Sequence, residues 1–162
     1  MITFNKMTEK EFLDYKEISI AGYAQDLMKE KNISNERARI DAKNEFEFGL
    51  PNGLDTENSF LMNIVAEDGK KVGWIWFQYD TNREGNSKQA FLADLLIFES
   101  ERRKGYAFEA INEMNGIAKN DGCSSSALFV WDHNQEGLGL YEKCGYKPCQ
   151  QGNGGWFMLK EL

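Results

Sequence analysis

The chain is poor in the residues that build metal and redox sites. It has one histidine, His133, and three cysteines, Cys123, Cys144 and Cys149. The cysteine count is odd and no C-x-x-C pair exists, so no metal site is expected and the thiols should be reduced. A basic excess is also missing. Nineteen Lys and Arg face 26 Asp and Glu, a net charge of -7, which disfavours a nucleic-acid partner. An acidic surface suits a cationic small molecule or a peptide amine, and it is equally ordinary solubility chemistry. No apolar run approaches membrane-spanning length, and Met1 to Lys6 holds no apolar leader core. The expectation is a cytoplasmic protein with no membrane partner. Repeats, linkers and low-complexity segments are absent too.

What is present suits a folded chain. With 41% hydrophobic and 13% aromatic residues, disorder is disfavoured, and 162 residues predict a single domain over 1–162. Ile2 to Asn5 reads as a short strand. Thr8-Glu9-Lys10-Glu11 is a capping box, with Met7 and Phe12 placed as its hydrophobic staple. The helix it opens should run to about Lys31, with Phe12, Tyr15, Ile20, Tyr23 and Leu27 inward. Ser34 caps a second helix with Ala38, Ala42 and Phe46 on one face, ended by the irregular stretch Gly49 to Gly53. A hairpin follows: alternation from Phe60 to Ala66, a turn at Asp68-Gly69, and a return strand with Val72, Trp74 and Trp76 on one face. A polar loop from Asp80 to Lys88 leads into a strand around Leu92 to Phe98.

The segment from Ala90 to Asp121 organises the rest. The apolar strand stops at a charged turn, Glu99-Ser100-Glu101-Arg102-Arg103-Lys104-Gly105. A helix then opens, with Ala107, Ala110, Ile111, Met114, Ile117 and Ala118 at three- and four-residue spacing. Strand, basic glycine-bearing turn and helix together make a phosphate-binding design. The first amides of the helix lack internal partners, the helix dipole favours an anion, and Gly105 admits close backbone approach. The turn has neither G-x-G-x-x-G nor a Walker A pattern. After a stop at Gly122, Ala127 to Trp131 reads as a buried strand, parallel to the one before the helix. A short helix spans Asn134 to Cys144, and two strands, Tyr146 to Gln151 and Trp156 to Lys160, close the chain.

Two motifs in this half carry a family resemblance. Arg102-Arg103-Lys104-Gly105-Tyr106-Ala107 resembles the pyrophosphate loop R/Q-x-x-G-x-G/A of the GNAT acyltransferase superfamily. Asn134, Leu140-Tyr141-Glu142-Lys143, Gly145 and Tyr146 resemble its second signature, N-x-x-A-x-x-L-Y-E-K-x-G-F/Y. Gly137 stands where the family usually has alanine, and Gly139 adds a second glycine; each costs a helix about 1 kcal/mol against Ala. The motifs fall in the family's order, about 30 residues apart, as a strand–helix–strand core requires.

The resemblance implies an α/β (α+β) fold of GNAT type: a mixed, mostly antiparallel sheet of about seven strands, a splayed parallel pair in its middle, and about four helices. It implies transfer of an acetyl group from acetyl-CoA (coenzyme A) directly to a primary amine of a small molecule or peptide. It further implies that the strand at Leu95 to Ile97 is bulged, and that the backbones of Leu95, Leu96 and Ile97 pair with pantetheine, the Leu95 N–H serving the thioester oxygen. Residues 102–108, that is Arg102, Arg103, Lys104, Gly105, Tyr106, Ala107 and Phe108, would hold the pyrophosphate. Tyr141 is the implied general acid, and Asn134 meets the cofactor arm or is a plain helix cap. A monomer or a homodimer is compatible with the family.

The general base stays open. Asp94, one residue before the oxyanion donor, is one choice; an ion pair with its surroundings is the other reading. Glu45, Glu47 and Glu57, or a water chain, are further options. His133 reads as a loop residue, and Trp74 or Trp76 as a wall of the acceptor pocket or as core. A non-catalytic acyl-CoA-binding module on the same fold, and an ATP-binding protein using the basic turn, are the competing functions.

Overall fold

A computed structural model describes residues 1–81 and 85–162. They form two compact units, one of Met7–Ser59 and one joining Met1–Lys6 to Phe60–Leu162.

The Met7–Ser59 unit is a helix pair. Helix α1, Glu9–Glu30, starts as the capping box demands. The Thr8 hydroxyl accepts from the Glu11 amide at 3.2 Å, and the Thr8 amide donates to the Glu11 carboxylate at 3.0 Å. Helix α2, Asn35–Gly49, is capped by Ser34. The two helices join through Phe46, whose ring lies 6.2 Å from Phe12 and 6.1 Å from Tyr15. Along α1, Phe12, Tyr15, Ala24 and Leu27 are buried. Ile20 and Tyr23 are only half-buried.

The larger unit is a seven-stranded sheet in the order β1-β2-β3-β4-β5-β7-β6. Its strands are β1 (Ile2–Lys6), β2 (Ser59–Ala66), β3 (Lys71–Thr81), β4 (Lys88–Ile97), β5 (Ser125–Trp131), β6 (Lys147–Gly152) and β7 (Gly155–Glu161). Helix α3, Tyr106–Asn120, links β4 to β5, and α4, Gln135–Lys143, links β5 to β6. The β4–β5 pair is parallel; the β1–β2, β3–β4, β5–β7 and β6–β7 pairs are antiparallel. This is the expected mixed sheet with four helices. Asp80 and Thr81 belong to β3 and Lys88 to β4, so the polar loop is shorter than predicted, and its residues 82–84 lie outside the described residues.

The apolar stripe of α3 builds the core. Ala110, Ile111, Met114 and Ala118 are fully buried beside Ile64, Val72, Ile75, Phe77, Leu92, Leu128 and Met158. Each large apolar side chain so buried contributes roughly 1.5–3 kcal/mol relative to exposure. Strand β3 departs from expectation. Trp74 and Trp76 do not join Val72 in the core cluster; Ile75, Phe77 and Tyr79 do. Yet both tryptophans are buried too, so side chains on both faces of this interior strand are apolar and buried, and simple alternation misjudges it.

The last strand in the order, β6, is short and broken. Pro148 has no N–H, and the register with β7 shifts between Pro148 and Gln150.

Candidate active site

The site is a seam in the sheet. Strands β4 and β5 are in register only from Gln89↔Ser125 to Leu92↔Leu128. Beyond that point β4 runs on to Ile97 and β5 to Trp131, each still paired on its outer side: Gly73↔Ile97 on one flank, Trp131↔Gly155 on the other. Both halves of the sheet stay ordered while the parallel pair separates.

A bulge causes the turn-away. Phe77 pairs with Leu92 but Trp76 pairs with Asp94, so Ala93 is one residue extra in β4. Such an insertion bends the strand and resets which side chains face which layer. After it, Leu95 and Ile97 pack on the core side with Ile75, whereas Asp94 faces Trp76 across the β3–β4 pair.

The hydrogen-bond alternation of antiparallel strands then orients the backbone. The Phe98 amide donates to the Val72 carbonyl at 2.9 Å. Counting back in the unbroken register, Leu96 and Asp94 turn their backbone groups to β3, and Leu95 and Ile97 turn theirs to the seam. Of the three residues expected to pair with pantetheine, two therefore face the gap and Leu96 does not. Arg102 Nε donates to the Ile97 carbonyl at 3.2 Å, which marks that carbonyl as lying on the seam side.

The basic turn opens α3. Gly105 is its N-cap at φ 86, and no side chain caps the helix. Arg103 also sits at positive φ, 64°, a left-handed conformation costly for any residue with a Cβ. The three cations are not free charges. Arg102 bonds Ile97, Arg103 lies 3.4 Å from Glu136 at the start of α4, and Lys104 bonds Glu101 at 2.9 Å. What the turn leaves toward an anion is the first-turn amides of α3. Tyr106, Ala107 and Phe108 occupy that turn, and Phe108 takes Lys143 of α4 over its ring at 5.2 Å.

On the other side of the seam, Asn134 Oδ1 accepts from the Gly137 amide at 2.9 Å as the N-cap of α4. A Cβ at Gly137 would stand 2.4 Å from the Asn134 amide nitrogen, so the glycine in the alanine position lets the cap fold onto its own helix. Tyr141 lies on the next turns of that helix. Its ring meets Tyr146 edge-on at 6.3 Å. Burial, and after it the charge of Asp94, pushes its hydroxyl up to about 12, so strand and helix bring Asp94 and Tyr141 into one electrostatic neighbourhood. Tyr146 is itself fixed, sharing its hydroxyl with Ser126 at 2.7 Å and donating to Asn115 at 3.0 Å.

The remaining candidates sort by contact. Glu45 accepts from the Tyr23 hydroxyl and Glu47 from Lys16, 3.1 Å away, so both tie α2 to α1. Glu57 is exposed. His133 is exposed and stacks on Trp131, centroids 5.9 Å apart. Among the described residues no cluster of His, Cys, Asp or Glu could hold a metal ion, and no helix is long and apolar enough to cross a membrane. One residue that the sequence conceals is Glu101, part of the charged turn but only 3% exposed. Its neighbours in sequence are polar, and one of its partners, Lys70, comes from a distant hairpin.

Residues 20–146 match the Acetyltransferase (GNAT) family. The chain belongs to that family. It is 30% identical over 144 residues to the uncharacterized N-acetyltransferase YdgE of Bacillus subtilis, covering 89% of this chain and 90% of YdgE. The crystal structure of Bacillus subtilis YycN superposes with a TM-score of 0.85 at 29% identity, over 94% of this chain and 96% of that one. The PaiA N-acetyltransferase of Thermoplasma acidophilum, solved with coenzyme A, shares the GNAT fold: TM-score 0.73, 17% identity, 100% of this chain and 99% of that chain.

Proposed function

We propose that this GNAT enzyme moves an acetyl group from acetyl-CoA directly to a primary amine of a small molecule or peptide. The observation that carries the reading is the end of the β4–β5 ladder at Leu92↔Leu128 while both strands continue. The Ile97 carbonyl already accepts from Arg102; the Leu95 backbone groups and the Ile97 amide aimed into such a seam need hydrogen-bond partners, and an extended amide-bearing chain supplies them in the manner of an added strand. The uncapped start of α3 lies at the end of the same strand, ready for a diphosphate. Seam and helix start thus fit coenzyme A in sequence. When bound, acetyl-CoA supplies an activated acyl group as a thioester.

The chain's own residues have three tasks. The Leu95 amide donates to the thioester oxygen as negative charge develops there. Tyr141 keeps its proton at neutral pH, its hydroxyl being raised by burial and by Asp94, and can give it to a departing thiolate. Asp94 serves the amine. An alkylammonium must lose a proton before its nitrogen can attack the thioester carbon. Asp94 anchors the ammonium beside Trp76, and water relays the proton away. Replacing Asp94 by Asn is expected to lower kcat/KM for the amine about tenfold or more at pH 7 with acetyl-CoA affinity retained; equal loss for both substrates would assign Asp94 to cofactor binding instead.

The test of the reaction itself is release of free coenzyme A thiol from acetyl-CoA with a panel of primary amines. Amine-dependent release is expected. Tight coenzyme A binding with no turnover across a broad panel would make the protein a binding module, and thermal stabilisation by ATP but not by coenzyme A would point to a nucleotide binder.

A further inference from the structure

Glu101 is the only charged side chain buried among the described residues. An isolated carboxylate in such a place is strongly disfavoured unless it is paired and hydrogen-bonded. This one has three donors: Lys70, Lys104 at 2.9 Å and the Ser100 hydroxyl at 3.1 Å. Bonds from Lys70 and then Lys104 hold its carboxyl down at about 2, far below the pH at which an enzyme works.

The partners come from two places. Lys104 belongs to the turn that opens α3, while Lys70 sits on the hairpin between β2 and β3. That hairpin is itself well defined: the Gly69 amide donates to Ala66 O at 2.9 Å, Ala66 N to Lys70 O at 2.8 Å, and the Lys70 amide to Asp68 Oδ1 at 2.9 Å. The backbone adds one rung between the segments, Phe98 N to Val72 O at 2.9 Å, and closes the turn on itself with Glu101 N to Phe98 O at 2.8 Å. The turn is thus fastened to the hairpin by one buried carboxylate and one backbone hydrogen bond.

We propose that Glu101 is a positioning residue for the coenzyme A diphosphate: by binding Lys70 and Lys104 together it fixes the turn at residues 102–105, so that the first amides of α3 are preset for the anion. The proposal rests on the reading that this turn holds the diphosphate. It runs against simple electrostatics, in which a carboxylate beside an anion site weakens binding and its removal helps. The sign of one measurement therefore separates the two views.

Coenzyme A affinity is measured by calorimetry, and acetyl-CoA KM and kcat by thiol release, at a temperature well below the melting point of every variant. Glu101→Gln is expected to weaken coenzyme A binding and raise acetyl-CoA KM about tenfold, with kcat changed less than twofold. Lys70→Met, at a side chain 58% exposed on the hairpin, should weaken binding in the same direction. The double variant should bind no more than about twofold worse than Glu101→Gln, as expected when two residues act through one contact. Because the carboxyl stays ionised, the affinity ratio should be flat from about pH 5 to 9.

Tighter or unchanged binding in Glu101→Gln would overturn the proposal and leave Glu101 a structural anchor or an electrostatic penalty. Should Glu101→Gln not fold, Lys70→Met decides: unchanged affinity there overturns the proposal. A wild-type protein that does not bind coenzyme A removes the cofactor reading, and this proposal with it. Stability supplies the control. The folded carboxyl titrates below its unfolded value of 4.5, so the melting-temperature gap between wild type and Glu101→Gln should be complete above that pH and close as pH falls toward 2.

Discussion

Tyr141→Phe is expected to lower kcat by about 10²–10³-fold while leaving coenzyme A affinity within a factor of two. The substitution removes only the hydroxyl. The ring packs against the core cluster and edge-on to Tyr146, and phenylalanine keeps both contacts. The hydroxyl sits at about 12, whereas a thiol in water has a pKa near 8.5, so proton delivery to an aqueous thiolate would be uphill by about 5 kcal/mol. The burial that raises the phenol also raises a thiolate in the same cavity, because both conjugate bases lose solvation. The gap narrows and the transfer becomes feasible. Single-turnover rates of thiol release, compared with binding by calorimetry, check this. A variant as fast as wild type would reduce Tyr141 to a packing residue.

Gly73→Ala is expected to cost about 1–3 kcal/mol of stability and to weaken coenzyme A binding as well. Gly73 pairs with Ile97 at the end of β4. A Cβ there would lie 2.2 Å from the Leu96 carbonyl oxygen and 3.1 Å from the Ile97 Cα. These are backbone atoms, so no side-chain rotation relieves the clash. The end of β4 must move, and the seam lies on its far side. Denaturant melts give the stability change; calorimetry at low temperature gives the affinity. Loss of stability with full affinity would mean that the seam tolerates displacement of its wall.

These two residues also mark how far the sequence can be read. The family motif around Tyr141 can be read because Leu140, Glu142, Lys143 and Gly145 form a local pattern, and local patterns survive in a one-dimensional string. The helix caps at Thr8, Ser34 and Asn134 were legible for the same reason. Gly73 was not, because its constraint comes from a strand more than twenty residues away. Glu101 was hidden likewise: among Glu99, Arg102, Arg103 and Lys104 it looks solvated, and its contact with Lys70 spans thirty-one residues. The cations of the turn illustrate the converse. Their number suggested a charged cradle, but pairing with Ile97, Glu136 and Glu101 engages them, and the amides remain. The bulge at Ala93 escaped alternation because one extra residue in an apolar run leaves no compositional mark. The acceptor amine is illegible for a chemical reason: ammonium groups are bound by any carboxylate beside an aromatic wall, and nothing in α1 or α2 forms a motif.

The margins of the sheet carry a last consequence. At one end β1 is five residues long, and at the other β6 lacks an amide at Pro148 and slips register immediately afterwards. Neither border presents the long, even row of donors and acceptors on which a stray peptide or an unfolding sibling could template itself. On the proposed reading, the seam between β4 and β5, where the ladder stops at Leu92↔Leu128, then offers an extended ligand a longer run of backbone than either rim does.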